Sequence, residues 1–165
     1  MAGAMKLNLG SDDDRYPGFL NVDICPDCKP DIVSDVEHMP MIEDGSVDEI
    51  FASHILEHLP WNTDALKEWH RILKPGGLIT VAVPDLLRCY DLYRLKAPTF
   101  DLQYFTATIY GAVVLGYRED FAHKQVFTED MLVERMQPHF PDAHMVERIE
   151  LRPRYGEETI VQGHK

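Results

Sequence analysis

Glu68-Trp-His-Arg-Ile-Leu-Lys-Pro-Gly-Gly77 runs straight into Leu78-Ile-Thr-Val-Ala-Val83, and the hydrophobic period changes at the junction. From Thr63 to Leu73 the apolar residues Ala65, Leu66, Trp69, Ile72 and Leu73 recur at helical spacing. Asp64 in the first turn and Arg71 and Lys74 at the end suit the helix dipole, and Pro75-Gly76-Gly77 stops the helix. Leu78 to Val83 is an almost unbroken apolar run rich in β-branched residues, the pattern of a strand buried on both faces. A helix delivered into such a strand is part of a βαβ unit, so the chain is expected to be α/β with a mostly parallel sheet.

The same alternation extends in both directions. Upstream, strands are expected over Met5–Leu9, stopping at Gly10, and over Phe19–Ile24, Asp31–Ser34 and Val47–Ser53, the last preceded by the turn Asp44-Gly45-Ser46. Only about nine residues separate the first two strands, fewer than the dozen or so of a helical crossover, so that connection is expected to be a loop or a single turn. Downstream, Asp85 is expected to cap a helix over Leu86–Leu95 and Asp101 one reaching toward Leu115. Thr128 is expected to cap a helix over Glu129–Gln137 that Pro138 ends. The tail reads as a hairpin, with strands near Met145–Leu151 and Glu158–Gln162 around a turn at Pro153–Gly156. The expected architecture is a Rossmann-like, three-layer α/β/α sandwich whose mostly parallel sheet ends in an antiparallel hairpin. One domain spans residues 1–165: a ligand-binding half (5–85), a cover and second-ligand region (86–127), and a C-terminal helix and hairpin (128–165).

At 165 residues, 45% apolar and 27% charged, the chain can bury one core. Its 28 acidic against 16 basic residues give a net charge of -12, which opposes both a phosphate-tracking nucleic-acid face and an anionic membrane surface. The longest nearly uncharged stretch, Phe100 to Tyr117, is interrupted by Asp101, Gln103 and threonines and falls short of the roughly 18 apolar residues of a spanning helix. Three cysteines do not make a disulfide framework, and no basic-then-apolar signal opens the sequence, so a cytoplasmic location is expected. The apolar content of Thr106–Leu115 exceeds what one short helix need bury in a small domain, so a homodimer is expected.

In an open α/β sheet the ligand lies beyond the carboxyl ends of the strands. The residues at those ends are Gly10-Ser11-Asp12-Asp13-Asp14, then Asp23, then Asp35, then Ser53-His54 with Glu57-His58, then Pro84-Asp85. Any one of them suits a turn or a cap. Repetition at five strand ends points to one small molecule. A carboxylate after the second strand can accept two ribose hydroxyls. The dinucleotide fingerprint G-x-G-x-x-G does not follow Gly10, and three aspartates beside it would repel a pyrophosphate and favour a cationic ligand.

Leu7-Asn-Leu-Gly10, Gly18-Phe-Leu-Asn-Val-Asp23 and Asp31-Ile-Val-Ser-Asp35 resemble the opening of small bacterial class I, type-11-like methyltransferases that use S-adenosylmethionine (SAM). Met39-Pro40, Asp44-Gly-Ser-Val-Asp48-Glu-Ile50 and Ala52-Ser-His-Ile-Leu-Glu-His-Leu59 resemble that family's "LPF-x-D-x-SFD-x-V … LEHL" signature. Glu68–Gly77 resembles its "RVLKPGG" motif, and His123-Lys124 before Phe127-Thr128 echoes one subgroup. The resemblance covers Leu7 to Asp85, about half the chain. It implies that Gly10, with Asn8 and Ser11 beside it, meets the methionine part of SAM. It further implies that Asp23 binds the ribose hydroxyls, Ile24 packs on adenine, and Asp35 with Val36 takes the adenine edge. Ser53 and His54 would lie under the sulfonium. The family usually has an acid where Asn8 stands and further glycines where Ser11 and Asp12 stand. Nothing long enough for its N-terminal helices precedes the first strand, so cover for SAM is expected from Leu86–Lys124 or from a second subunit.

The activity implied is methyl transfer from SAM to an oxygen or nitrogen of a small-molecule or glycan acceptor. His58, His54 and His123, in that order, are the candidates for proton removal. The alternative is a SAM-fold binding or partner subunit without turnover; a nicotinamide oxidoreductase is disfavoured by the missing fingerprint. His54, Glu57 and His58, spaced within about one helical turn, also form a candidate set for a divalent metal, with His123 as a further ligand. A hydrogen-bonded loop is the competing reading of the same residues. Cys25-Pro-Asp-Cys28 has half the spacing of a zinc knuckle and no second pair.

Overall fold

The computed structural model describes residues 3–98, 100–117, 119, 122–147 and 157–165. Seven strands form one sheet: β1 (Lys6–Leu9), β2 (Leu20–Asp23), β3 (Ile32–Val33), β4 (Val47–Ser53), β5 (Leu73–Pro84), β6 (His144–Met145) and β7 (Glu158–His164). Their order is β3-β2-β1-β4-β5-β7-β6. The first five run parallel, and β7 pairs antiparallel with both β5 and β6. The hairpin expected at the tail therefore places its returning strand inside the sheet and its short first strand at the edge. The expected turn at Pro153–Gly156 and the residues up to Leu151 lie partly outside the described residues.

Two helices share the main core, α1 (Ala65–Ile72) and α4 (Glu129–Met136). Trp69, Ile72, Leu132 and Met136 join Leu7, Leu9, Ile50, Ile79, Val81 and Val161 there. Trp69 has no exposed surface, and its indole N–H donates to the carbonyl of Val36 at 3.0 Å. This bond offsets the desolvation of the ring nitrogen. Side chains alternate across a strand, so Phe51 leaves this core and packs edge-on against Tyr16 and Phe19, at 5.1 and 6.5 Å between ring centroids. Tyr16 and Phe19 belong to the β1–β2 connection, which contains no helix, as the short spacing predicts.

Two boundaries differ from expectation. β5 begins at Leu73 and runs through Lys74-Pro-Gly-Gly77, so the helix ends at Ile72 before the glycines. Gly77 serves packing there: a β-carbon on it would lie 2.8 Å from the Leu73 side chain and 2.9 Å from the Lys74 carbonyl. α3 (Leu102–Tyr110) does not continue to Leu115; Gly111 at φ 84° breaks it, and a 3₁₀ turn covers Ala112–Leu115. The three expected caps form. Asp85 accepts from the Arg88 N–H at the start of α2 (Leu86–Arg94), Asp101 from that of Tyr104, and Thr128 from that of Met131. No helix among the described residues is long and apolar enough to cross a membrane.

Candidate active site

Three parallel strands deliver the first group of expected residues to one rim. β1 ends at Gly10, whose φ of 64° turns the chain, and the Gly10 and Ser11 N–H groups both donate to the Val22 carbonyl, at 2.8 and 3.2 Å. β2 ends at Asp23. Its carboxylate accepts the Asp12 N–H at 2.9 Å and the Cys25 N–H at 2.8 Å, which ties the β1 and β2 loops together. Beside it Ile24 is 68% exposed. Ile24 is thus an aliphatic side chain held in water directly after the Asp23 carboxylate, and Asp35, after β3, is exposed as well. Asp35 accepts the Glu37 N–H through Oδ1 at 2.9 Å.

Asn8 and Val36 are buried. Asn8 is buried, and its amide donates to the Asp14 carbonyl at 3.0 Å and to Asn21 Oδ1 at 3.1 Å, so its side chain braces the 11–14 loop. Val36 is 5% exposed and lies in the main core. Its carbonyl accepts the Trp69 indole N–H. Ser11 is buried with no hydrogen-bond partner for its hydroxyl among the described residues.

β4 supplies the second group. It ends at Ser53, and His54 follows with φ of 55°, a backbone region unusual for a side chain of this size and common at functional sites. The His54 N–H donates to the Ala82 carbonyl at 2.9 Å. Its Nε2 meets Glu158 Oε1 on β7, and its Nδ1 lies 3.4 Å from Glu57 Oε1. Sequence reasoning missed Glu158, a buried carboxylate 104 residues away; only the antiparallel insertion of β7 beside β5 brings it there.

A 3₁₀ turn, Leu56–His58, then presents Glu57 and His58. His58 and His123 stand edge to face with ring centroids 4.8 Å apart. Burial pushes the imidazole of His123 below its usual pKa range, and the proximity of Glu57 acts in the opposite direction. Gln125 was also missed. Its amide nitrogen donates to the carbonyls of Leu56, Leu59 and Pro60, at 3.1, 2.7 and 3.2 Å, and so fixes the 3₁₀ turn to the 122–127 segment.

A cavity of about 230 Å³ opens on this side, lined by His54, Pro84, Tyr104, Thr108, Leu115 and His123 among others. Two of the three histidines thus reach the cavity, and His58 stands behind His123.

Residues 18–81 match the family model of the methyltransferase domain. That stretch is similar to the methyltransferase domain family, and the fold of the chain is the one that SAM-dependent methyltransferases share. Over nearly its whole length the fold is similar to those of solved SAM-dependent methyltransferases. One from Archaeoglobus fulgidus has a TM-score of 0.65 and 15% identity over 99% of this chain and 87% of its own. One from Thermotoga maritima has a TM-score of 0.61 and 17% identity over 99% and 83%. One from Methanosarcina mazei has a TM-score of 0.62 and 15% identity over 98% and 92%. No curated protein sequence matches the chain.

Proposed function

We propose that this methyltransferase moves the methyl group of SAM to an oxygen or nitrogen of a small molecule seated in the cavity beside His54. The observation that carries this reading is the adjacency of two surfaces along one sheet edge. The Gly10, Asp23, Ile24 and Asp35 rim suits the adenosyl part of SAM. The cavity begins at His54, the residue that follows the β4 strand end. SAM lying on the rim would point its sulfonium across Ser53 and His54 toward that cavity. A lone pair of the acceptor then forms the new bond to the methyl carbon as the carbon–sulfur bond breaks. The electron pair stays on sulfur, and the acceptor loses its proton. The leaving group is already good, so holding the two reactants in line supplies much of the rate.

The cavity volume of about 230 Å³ lies below the roughly 300–1,000 Å³ of drug-sized pockets. That favours a small metabolite or a single sugar unit over an extended glycan. His54 and His123 are assigned to acceptor contact, with His58 in support. The test uses SAM with an isotopically labelled methyl group against pooled metabolites and sugars. Label in a small product supports the reading. SAM binding without any labelled product in the pools favours a binding subunit. Retention of SAM by a variant whose cavity is filled, Ala107→Trp, together with loss of product, would localise the acceptor.

We propose in addition that two copies associate through α3 and the turn after it, where Leu102, Tyr110, Val114, Leu115 and Tyr117 are 61, 59, 42, 40 and 59% exposed. This face borders the acceptor cavity through Leu115, so a second copy would also cover it.

A further inference from the structure

Glu57 is 1% exposed, and neither oxygen of its carboxylate accepts a hydrogen bond among the described residues. Burying a carboxylate so is costly unless a positive charge stands against it. His54 Nδ1 stands 3.4 Å from Oε1, beyond good hydrogen-bond length. A second buried acceptor lies alongside. Gln125 Oε1 has no partner, and the amide cannot be turned round, because its nitrogen already serves three carbonyls. Glu57, Gln125 and His123 all line one void of about 10 Å³, the size of a single water or ion. The unpaired acceptors belong to two residues of its lining, Glu57 and Gln125, and a cation held there would satisfy them.

The two histidines are arranged to match. His123 Nδ1 lies 2.9 Å from the Thr108 carbonyl, and His58 Nδ1 lies 3.2 Å from the Ala122 carbonyl. A carbonyl only accepts, so each Nδ1 carries the hydrogen, and Nε2 is the ring's electron-pair nitrogen. This is the outer support that metal-binding histidines use to fix tautomer and orientation. One potential ligand atom from each of Glu57, His58 and His123 lies within 4.8 Å of the others.

We propose that Glu57, His58 and His123 bind one divalent cation of the zinc type. Two imidazoles and a carboxylate are a borderline ligand set that suits Zn²⁺ or Co²⁺ better than Mg²⁺ or Ca²⁺. A tetrahedral site with bonds of about 2.1 Å has its ligands about 3.4 Å apart, so binding draws the three side chains inward by small rotations. Three protein ligands leave the fourth position open. His123 also lines the acceptor cavity, so an oxygen of the acceptor can fill that position. This last step rests on the methyl-transfer reading; the metal site itself does not, and it is read with neither SAM nor acceptor present.

The full chain, stripped with a chelator, is titrated with Co²⁺ alone and with Zn²⁺ alone. The expected result is one Zn²⁺ retained per chain after gel filtration, a tetrahedral Co²⁺ absorption band, and a Zn²⁺-dependent rise in melting temperature. His123→Ala and Glu57→Gln are each expected to weaken metal binding at least tenfold and to abolish the rise. Asp12→Asn, in the exposed cluster of Asp12, Asp13 and Cys28, is expected to leave both unchanged. Near-ultraviolet circular dichroism confirms that each variant is folded, and His58→Gln replaces any that is not. Wild-type protein that retains no Zn²⁺, or retention that survives His123→Ala and Glu57→Gln but falls with Asp12→Asn, overturns the assignment. A metal site confirmed in a protein that methylates nothing would sink only the acceptor step.

Discussion

Ile55 occupies the space that a β-carbon on Gly10 would need: such an atom would lie 2.7 Å from the Ile55 β-carbon. The end of β1 and the turn after β4 are therefore locked against each other between the rim proposed for SAM and the cavity proposed for the acceptor. Gly10 is required twice, once by its φ of 64° and once by this contact.

Gly10→Ala is expected to destabilise the fold by about 2–4 kcal/mol, combining a left-handed alanine with overpacking. Ile55→Ala in the same chain relieves the contact but not the backbone. Urea unfolding of the two single variants and the double variant should therefore show a coupling of about 1–2 kcal/mol. Strict additivity would show that the two residues do not meet.

Asp23→Ala removes a carboxylate that holds the Asp12 and Cys25 N–H groups and is assigned to the ribose. SAM affinity measured by calorimetry should fall by about 1.5–3 kcal/mol. Wild-type affinity in this variant would remove Asp23 from the site.

The motif around Glu68 and Arg71 has a purely structural role. Arg71 Nε and Nη2 donate to Glu68 at 2.8 and 2.7 Å, and the same guanidinium reaches the Met39 and Ile42 carbonyls at 3.0 and 2.9 Å. The Met39 N–H donates to Glu68 at 2.7 Å. The Arg71 side chain foremost, helped by that N–H, holds the Glu68 carboxyl below its ordinary value of 4.5. A group whose folded pKa is depressed contributes stability above its unfolded pKa and loses it as the pH falls through the folded one. Glu68→Gln should thus cost about 2–3 kcal/mol at pH 7, and the gap to wild type should close below about pH 4.5. Urea unfolding at a series of pH values checks this; a gap that stays constant down to pH 3 contradicts it.

Light scattering at tens of micromolar should give a particle of twice 19.0 kDa. Leu115→Asp together with Tyr110→Asp should return it to one chain's mass. A wild-type monomer refutes the proposed dimer.

Local chemistry wrote much of the frame into the sequence. The periodicity from Ala65 to Ile72, the apolar run Leu78–Val83 and the caps at Asp85, Asp101 and Thr128 are short-range signals, and each formed its element. That Gly10, Asp23 and Asp35 stand at the ends of β1, β2 and β3 was legible from turn and strand patterning, and strand ends in a parallel sheet all face one crevice. The same reading did not foresee that the Asn8 side chain braces a loop and that the Val36 side chain fills the core. What tertiary structure alone decided involves partners far apart in the chain. Glu158 reaches His54 because β7 inserts antiparallel beside β5, and His123 and Gln125 reach Glu57 because the 122–127 segment folds back on the turn after β4. Sequence spacing carries no information about such contacts, since they depend on where whole strands and loops pack. The unsatisfied carboxylate of Glu57 emerges only once its neighbours are in place.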